Sequence, residues 1–392
     1  MRGGSGRTLL ASLAVAGAVL AVPGPAAGFG TIDGGGQRRE HERITRAAVA
    51  CPAGTGSDGD CFEPRSVAQL AGHDKKFGAV GAPDRTEVSD PAAHCDDADF
   101  LAGGGYPRTR EQATAGLGAC VEHLRRRFRE GTGNAAGLLD DEGRIVGAAV
   151  DLGTDCVLDS AAEQRAKCRA LESFGRALHG VQDFYAHSNW ADAADPSRPT
   201  AADNPPGLNL PAPSPVLDLR GGGMRAVPRD LTTGCFVLAD QVDGTGVCER
   251  RVTHAALNKD NGLVDPDGGA ATDPTTPRGR IGDNFAKAVR GAVVETRHQW
   301  QEFQAALAGD YGPERASLMV CALTHDDPAN GCRDPGPVLR GAGRDGTVRT
   351  VVALAVPGVL LGVAILLLLL RRGRRARGPD TARRSSGLIR RG

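Results

Sequence analysis

Apolar residues in this chain recur mainly at helical steps, and few stretches alternate as a strand would. Leu117, Val121, Leu124 and Phe128 follow one another at intervals of four, three and four, so Arg110 to Glu130 predicts a helix with one apolar face. Arg38 to Ala50 opens with charge and runs into Ile44, Ala47, Ala48 and Val49. Ala161 to Ala186 and Asp283 to Gly309 are the longest helical patterns, and Pro313 to Leu323 begins with the proline that suits a first turn. Aromatic residues make up only 4% of the chain, which together with the scarcity of alternating runs favours an all-α, multi-helix domain.

Between Trp190 and Ile281 the pattern lapses. Pro196, Pro199, Pro205, Pro206, Pro211, Pro213 and Pro215 punctuate a stretch that reads as an insertion between helices, either a lid or substrate-binding flap or a disordered connector. Both ends carry apolar segments of another kind. Thr8 to Val22, behind Arg2 and Arg7 and ahead of small residues, reads as a secretory signal. A cut after Gly28 would put Ala26 and Gly28 at the required small positions and make Phe29 the first residue. Val351 to Leu370 holds no charge and is long enough to span a bilayer. The tail that follows has nine Arg against one Asp and belongs on the cytoplasmic side.

The expected organisation is a signal peptide at 1–28, a helical domain at 29–190 completed by last helices at 281–332, and the Pro/Gly-rich insertion at 191–280. A stalk at 333–349, a transmembrane helix at 350–371 and a basic tail at 372–392 follow. The expected location is the cell membrane, single-pass, with the bulk of the chain outside.

All ten cysteines fall in the outer part, and an even count there reads as disulfides. Sequence neighbours suggest Cys51–Cys61, Cys95–Cys120, Cys156–Cys168, Cys235–Cys248 and Cys321–Cys332, among many possible connectivities. A cysteine zinc site is the competing reading, and no CxxC pair supports it. The chain balances 47 basic against 47 acidic residues, but leader and tail hold +10 of this, leaving −10 on residues 8–370. That deficit argues against nucleic acid as a partner, since such binding rests on Lys and Arg at phosphates.

The candidate chemistry sits in Leu178–Trp190, where His179, Asp183 and His187 are spaced i, i+4 and i+8 on one helix face. Imidazole, carboxylate and imidazole along one stripe suit zinc, and His298 with Glu302 repeats the spacing later. His73, His123, His254 and His325 sit among charged or polar residues and read as surface; His254, in the insertion, is the foremost exception and could replace His187.

In this order, the motifs resemble the zinc-dependent phospholipase C and single-strand nuclease superfamily. They are Phe29-Gly30-Thr31-Ile32-Asp33-Gly34 followed by His41, Gly81-Ala82-Pro83-Asp84 with His94, His179-x-x-x-Asp183 with His187, and His298-x-x-x-Glu302. The short step in "DFYAHSNW" is most similar to the heterokaryon-incompatibility C branch and to bacterial proteins labelled CinY. The resemblance implies an all-α fold and up to three zinc ions. One would be held by Asp84, His94, His179 and Asp183. A second would take His187, His298 and Glu302. A third would take the amine and carbonyl of Phe29, His41 and a bridging oxygen of Asp183. It further implies hydrolysis of a phospholipid or another phosphodiester, with Asp84 also orienting or deprotonating the attacking water. A nuclease of the same superfamily and a non-catalytic, metal-stabilised ectodomain are the alternatives.

Overall fold

The computed structural model describes residues 28–236 and 246–332. Along them run helices α1 Glu40–Val49, α2 Pro64–Ala71, α3 Pro83–Thr86, α4 Arg110–Ala135, α5 Gly147–Val150, α6 Ala166–His187, α7 His254–Leu257, α8 Asn284–Tyr311, α9 Pro313–Thr324 and α10 Pro328–Gly331. The strands among them are three antiparallel pairs of two-residue strands. The expected mostly helical fold is therefore observed. The apolar segments at 8–22 and 351–370, the stalk and the basic tail lie outside the described residues. Among the described residues no helix is long and apolar enough to cross a membrane.

Every residue of α6 except Arg169 and Glu172 is buried. A helix covered all round is a central one, and α6 is packed by α4, by α8 and by a 3₁₀ turn at Ala79–Gly81. Its first half is held by aromatic packing. The Phe174 ring lies 4.7 Å from Phe303 and 5.7 Å from Trp300, and Phe128 of α4 lies 5.3 Å from Phe303. Its second half, from His179 to His187, is buried just as deeply but carries polar side chains. Such groups are buried only where partners await them.

Two glycines of α6 let those partners approach. A Cβ at Gly175 would stand 2.7 Å from the carbonyl carbon of Ala79 and 2.8 Å from the nitrogen of Val80. A Cβ at Gly180 would stand 2.5 Å from the carbonyl oxygen of Ala93. The segments leading to Asp84 and to His94 thus ride directly on the helix backbone.

All five cysteine pairs expected from sequence neighbours are at disulfide-bonding distance. The described part of 191–280 is packed rather than loose. It buries Val216, Leu217, Leu219, Leu231, Val252, Leu257 and Val264. Its ends are fastened by a buried charge cluster. Asp192 accepts from Arg278 at 2.8 and 3.0 Å and from Lys259 at 3.1 Å, and Lys259 also donates to the Ser188 carbonyl at 2.9 Å. Buried charges are tolerated when paired and hydrogen-bonded in this way, and the cluster brings residues 254–262 to the end of α6.

The close approaches fix a sign. Gly180→Ala is expected to destabilise by roughly 1–3 kcal/mol through overpacking. Gly133→Ala, at an exposed position of α4 with open space around it, is expected to stabilise by about 0.5–1 kcal/mol. Denaturant unfolding of the two variants checks the contrast, and equal effects would contradict the packing described.

Candidate metal centre

The Asp183 carboxylate is wholly buried and stands between two sets of nitrogen donors. Its Oδ1 accepts from the Phe29 N–H at 3.1 Å and lies 3.2 Å from His41 Nε2. Its Oδ2 lies 3.0 Å from His94 Nδ1 and 3.1 Å from His179 Nε2. Asp84 closes this second side, with Oδ1 3.5 Å from His179 Nε2 and 4.0 Å from His94 Nδ1. Phe29, His41, Asp84, His94, His179 and Asp183 therefore converge on one buried carboxylate.

Each imidazole turns one nitrogen to the cluster and has the other held from behind. His41 Nδ1 meets Gln182 Oε1 at 2.8 Å, and the Gln182 amide donates to Thr45 and Thr296. His179 Nδ1 meets the Val80 carbonyl at 2.9 Å, and His94 Nε2 meets the Glu87 carbonyl at 3.3 Å. A carbonyl or amide oxygen behind the ring is what fixes the tautomer and direction of a metal-ligating histidine. Asp84 is steadied likewise, since Thr31 Oγ1 donates to its Oδ2 at 2.5 Å. The short helix α3 that carries Asp84 is clamped through Glu87 to Arg127 of α4 and Arg176 of α6.

His187, one turn beyond Asp183, enters a second cluster. About 6 Å of helical rise separates successive i, i+4 positions, so one stripe feeds two neighbouring clusters. Asp96 Oδ1 lies 3.3 Å from both His187 Nδ1 and His254 Nδ1. Asp260 faces the opposite nitrogens, 3.2 Å from His187 Nε2 and 3.5 Å from His254 Nε2. Glu40, next to His41, backs this side: burial pushes its carboxyl up to about 7 while its Oε1 accepts from the Gly262 N–H at 3.0 Å.

His298 and Glu302 are not part of this second cluster, which corrects the expected second ligand set. The stripe of α8 that bears them faces residues 214–219 of the insertion instead. There Glu302 pairs with Arg220 at 3.0 Å, and His298 and Glu302 line a cavity of about 230 Å³. Two other surface cavities, of about 290 and 210 Å³, take no residue from either cluster. Asp96, His254 and Asp260 supply what His298 and Glu302 do not. Only His254 carried a signal in the sequence, as the alternative to His187; it joins that residue rather than replacing it.

Two observations fit these clusters to divalent metal. Among buried polar atoms without a hydrogen-bond partner are His41 Nε2, Asp84 Oδ1, His187 Nε2 and both carboxylate oxygens of Asp260. Such orphans are costly unless something unites them. The donor set is imidazole and carboxylate throughout, and His41 with His179 and Asp183, Asp84 with His94 and His179, and Asp96 with His187 and His254 each bring ligand atoms within 4.8 Å of one another. Imidazole and carboxylate are ligands of zinc, although donor type alone does not name the metal. The cysteine groups are committed to disulfides.

Electrostatics point the same way. Burial raises the Asp183 carboxyl, but the imidazoles of His179, His187 and His41 outweigh it and hold it well below the usual carboxylate range. Burial lowers His187, but Asp96, Asp260 and Asp183 outweigh it and carry the imidazole well above its ordinary value. Asp96 is held at about 2, burial being outweighed by His187 and His254. The imidazoles do not all shift one way: the facing carboxylates raise His41, His94, His187 and His254 against burial, while burial lowers His179.

No protein-family model, no curated protein and no solved structure matches the chain in comparison with them. The family resemblance therefore rests on the motifs and their order.

Two outcomes separate this arrangement from the expected one. His254→Ala is expected to lower bound metal in the second cluster, whereas His298→Ala leaves metal content unchanged; metal analysis of the purified variants decides between them. The pH dependence has a definite sign. In metal-free protein, a depressed Asp96 stabilises above its ordinary value of 3.8 and loses that contribution as pH falls toward about 2. A raised His187 stabilises below 6.5 and loses its contribution as pH climbs through its elevated value. Metal needs neutral imidazole, so the metal-loaded protein gains stability over the chelated one as pH rises through neutrality. Thermal unfolding with and without chelator measures this, and parallel profiles would contradict it.

Proposed function

We propose that the chain is an exported, membrane-anchored, zinc-dependent phosphodiester hydrolase, with phospholipase C-type cleavage favoured. The observation that carries the reading is the Asp183 carboxylate, with one oxygen toward Phe29 and His41 and the other toward His94 and His179. A bridging carboxylate of this kind is what neighbouring metals need, and the ordered motifs resemble a superfamily with three zincs. His187, His254, Asp96 and Asp260 would hold the second metal in place of the set first expected.

Bound there, divalent cations supply a water of lowered pKa and positive charge on both sides of a phosphodiester. The remaining work belongs to the chain. Asp84 has one oxygen fixed by Thr31 and the other without a hydrogen-bond partner. It can accept a proton from water or hold that water in line. The Asp84 side chain keeps 8% of its surface exposed, and its Oδ1 is buried against the cluster. Phe29 contributes through its backbone nitrogen, and hydrolysis of the Gly28–Phe29 bond would turn that N–H into an amine able to ligate. Gly28 fits because it lies against the Asp183 carboxylate, where a Cβ would collide.

The burial of the second cluster favours one other reading, a metal-stabilised ectodomain that recognises without catalysing. His187 and Asp260 are wholly buried and Asp96 and His254 nearly so. Zinc there would then serve stability alone. The −10 charge on residues 8–370 disfavours the nuclease alternative.

Hydrolysis of p-nitrophenylphosphorylcholine and of single-stranded DNA by the purified chain, with metal content measured alongside, tests the proposal. The expected result is zinc-dependent turnover of the phosphocholine ester, lowered by about 10²–10⁴-fold in Asp84→Asn if Asp84 acts as general base. Bound zinc with no turnover on any phosphodiester would favour the stabilised ectodomain.

A further inference from the structure

The tripeptide His94–Cys95–Asp96 faces both clusters at once. His94 sends Nδ1 to within 3.0 Å of Asp183 Oδ2, in the first cluster. Its own carbonyl lies 3.1 Å from His187 Nδ1, and Asp96 Oδ1 lies 3.3 Å from His187 and His254, in the second. Ligand side chains two residues apart reach different clusters because Cys95 between them has φ 55, in the left-handed region. A residue with a Cβ occupies that region at a cost and needs surrounding structure to hold it there.

Cys95 is held from both sides. Its side chain is wholly buried and bonded to Cys120 in the middle of α4. On the far side, the Ala93 carbonyl lies against α6 at Gly180. Beyond Asp96, the Asp97 N–H donates to the Gly234 carbonyl at 2.8 Å, and Asp99 accepts from Arg108 at 2.6 Å and from Arg251 at 2.5 Å. The turn is thus pinned between α4 and α6, with a single covalent bond at its centre.

We propose that the Cys95–Cys120 disulfide is a positioning element common to both clusters, so that they take up metal as one unit. The inference rests on the metal reading above. Cys95 acts by fixing the directions of His94 and Asp96. The other four bridges have no such place: none has a cysteine flanked on both sides by cluster residues.

The test is zinc competition against a chromophoric chelator on the full chain, comparing wild type with Cys95→Ala/Cys120→Ala and with Cys321→Ala/Cys332→Ala. Asp84→Asn and Asp96→Asn mark which binding step belongs to which cluster. In the Cys95/Cys120 variant both steps are expected to weaken, by about 10–100-fold as for loss of a ligand's supporting contact. Removing the Cys321–Cys332 bridge is expected to leave both unchanged. Unchanged affinity in the first variant, or weakening at one cluster alone, overturns the inference. If that variant does not fold, Cys95→Ser/Cys120→Ser, which keeps the side-chain volume without the bond, is measured in its place; joint weakening supports the proposal, and any other outcome overturns it. Absence of zinc from wild type overturns the metal reading, and this inference with it, and is distinguishable from every result above.

Discussion

A carboxylate without solvent, Asp183 on α6, is the constraint on which the rest depends. An isolated charge at that depth would be untenable, so the chain must deliver compensating groups to it. It does so from four directions: Phe29 and His41 from the N-terminal segment and α1, His94 from the turn before α4, and His179 from one turn earlier on α6. Much of the architecture follows from this requirement. The glycines of α6 admit the backbone at Ala79–Val80 and at Ala93, and the aromatic packing of Phe128, Phe174, Trp300 and Phe303 sits at the opposite end of the helix.

The insertion completes that logic. A stretch with this many prolines cannot form long helices or a sheet, yet it need not be loose. Asp192, Lys259 and Arg278 bind its two ends together beside Ser188, where α6 stops. His254 and Asp260 are thereby carried to His187. The second cluster is thus built largely from residues that lack any regular element longer than one turn, and its geometry depends on ion pairing and disulfides rather than on helix packing.

The long helices were legible because fifteen or more residues give an amphipathic period room to repeat; α4, α6 and α8 begin within a few residues of expectation. α6 starts at Ala166 rather than Ala161 because Glu163 and Arg165 are engaged with Val157, Asp151 and Thr154, which holds the preceding turn open. α2, with eight residues, is too short to show a period. Disulfide pairing by sequence neighbours succeeded because each bridge closes a short local loop. In the site, the i, i+4 spacing found His179 and Asp183, but the same spacing in His298 and Glu302 could not reveal that their stripe of α8 faces the insertion. Asp96 and Asp260 left no periodic signal, since what brings them in is a left-handed turn at Cys95 and the return of the insertion.

On this reading the two carboxylate–imidazole clusters hold metal rather than shared protons. Anomalous diffraction from crystals of the protein at the zinc absorption edge tests it most directly. Peaks are expected on both sides of the Asp183 carboxylate, with a further peak between Asp96, His187, His254 and Asp260. Electron density for hydrogen-bonded side chains at those positions, in crystals grown with zinc present and with no anomalous signal at either cluster, would contradict it.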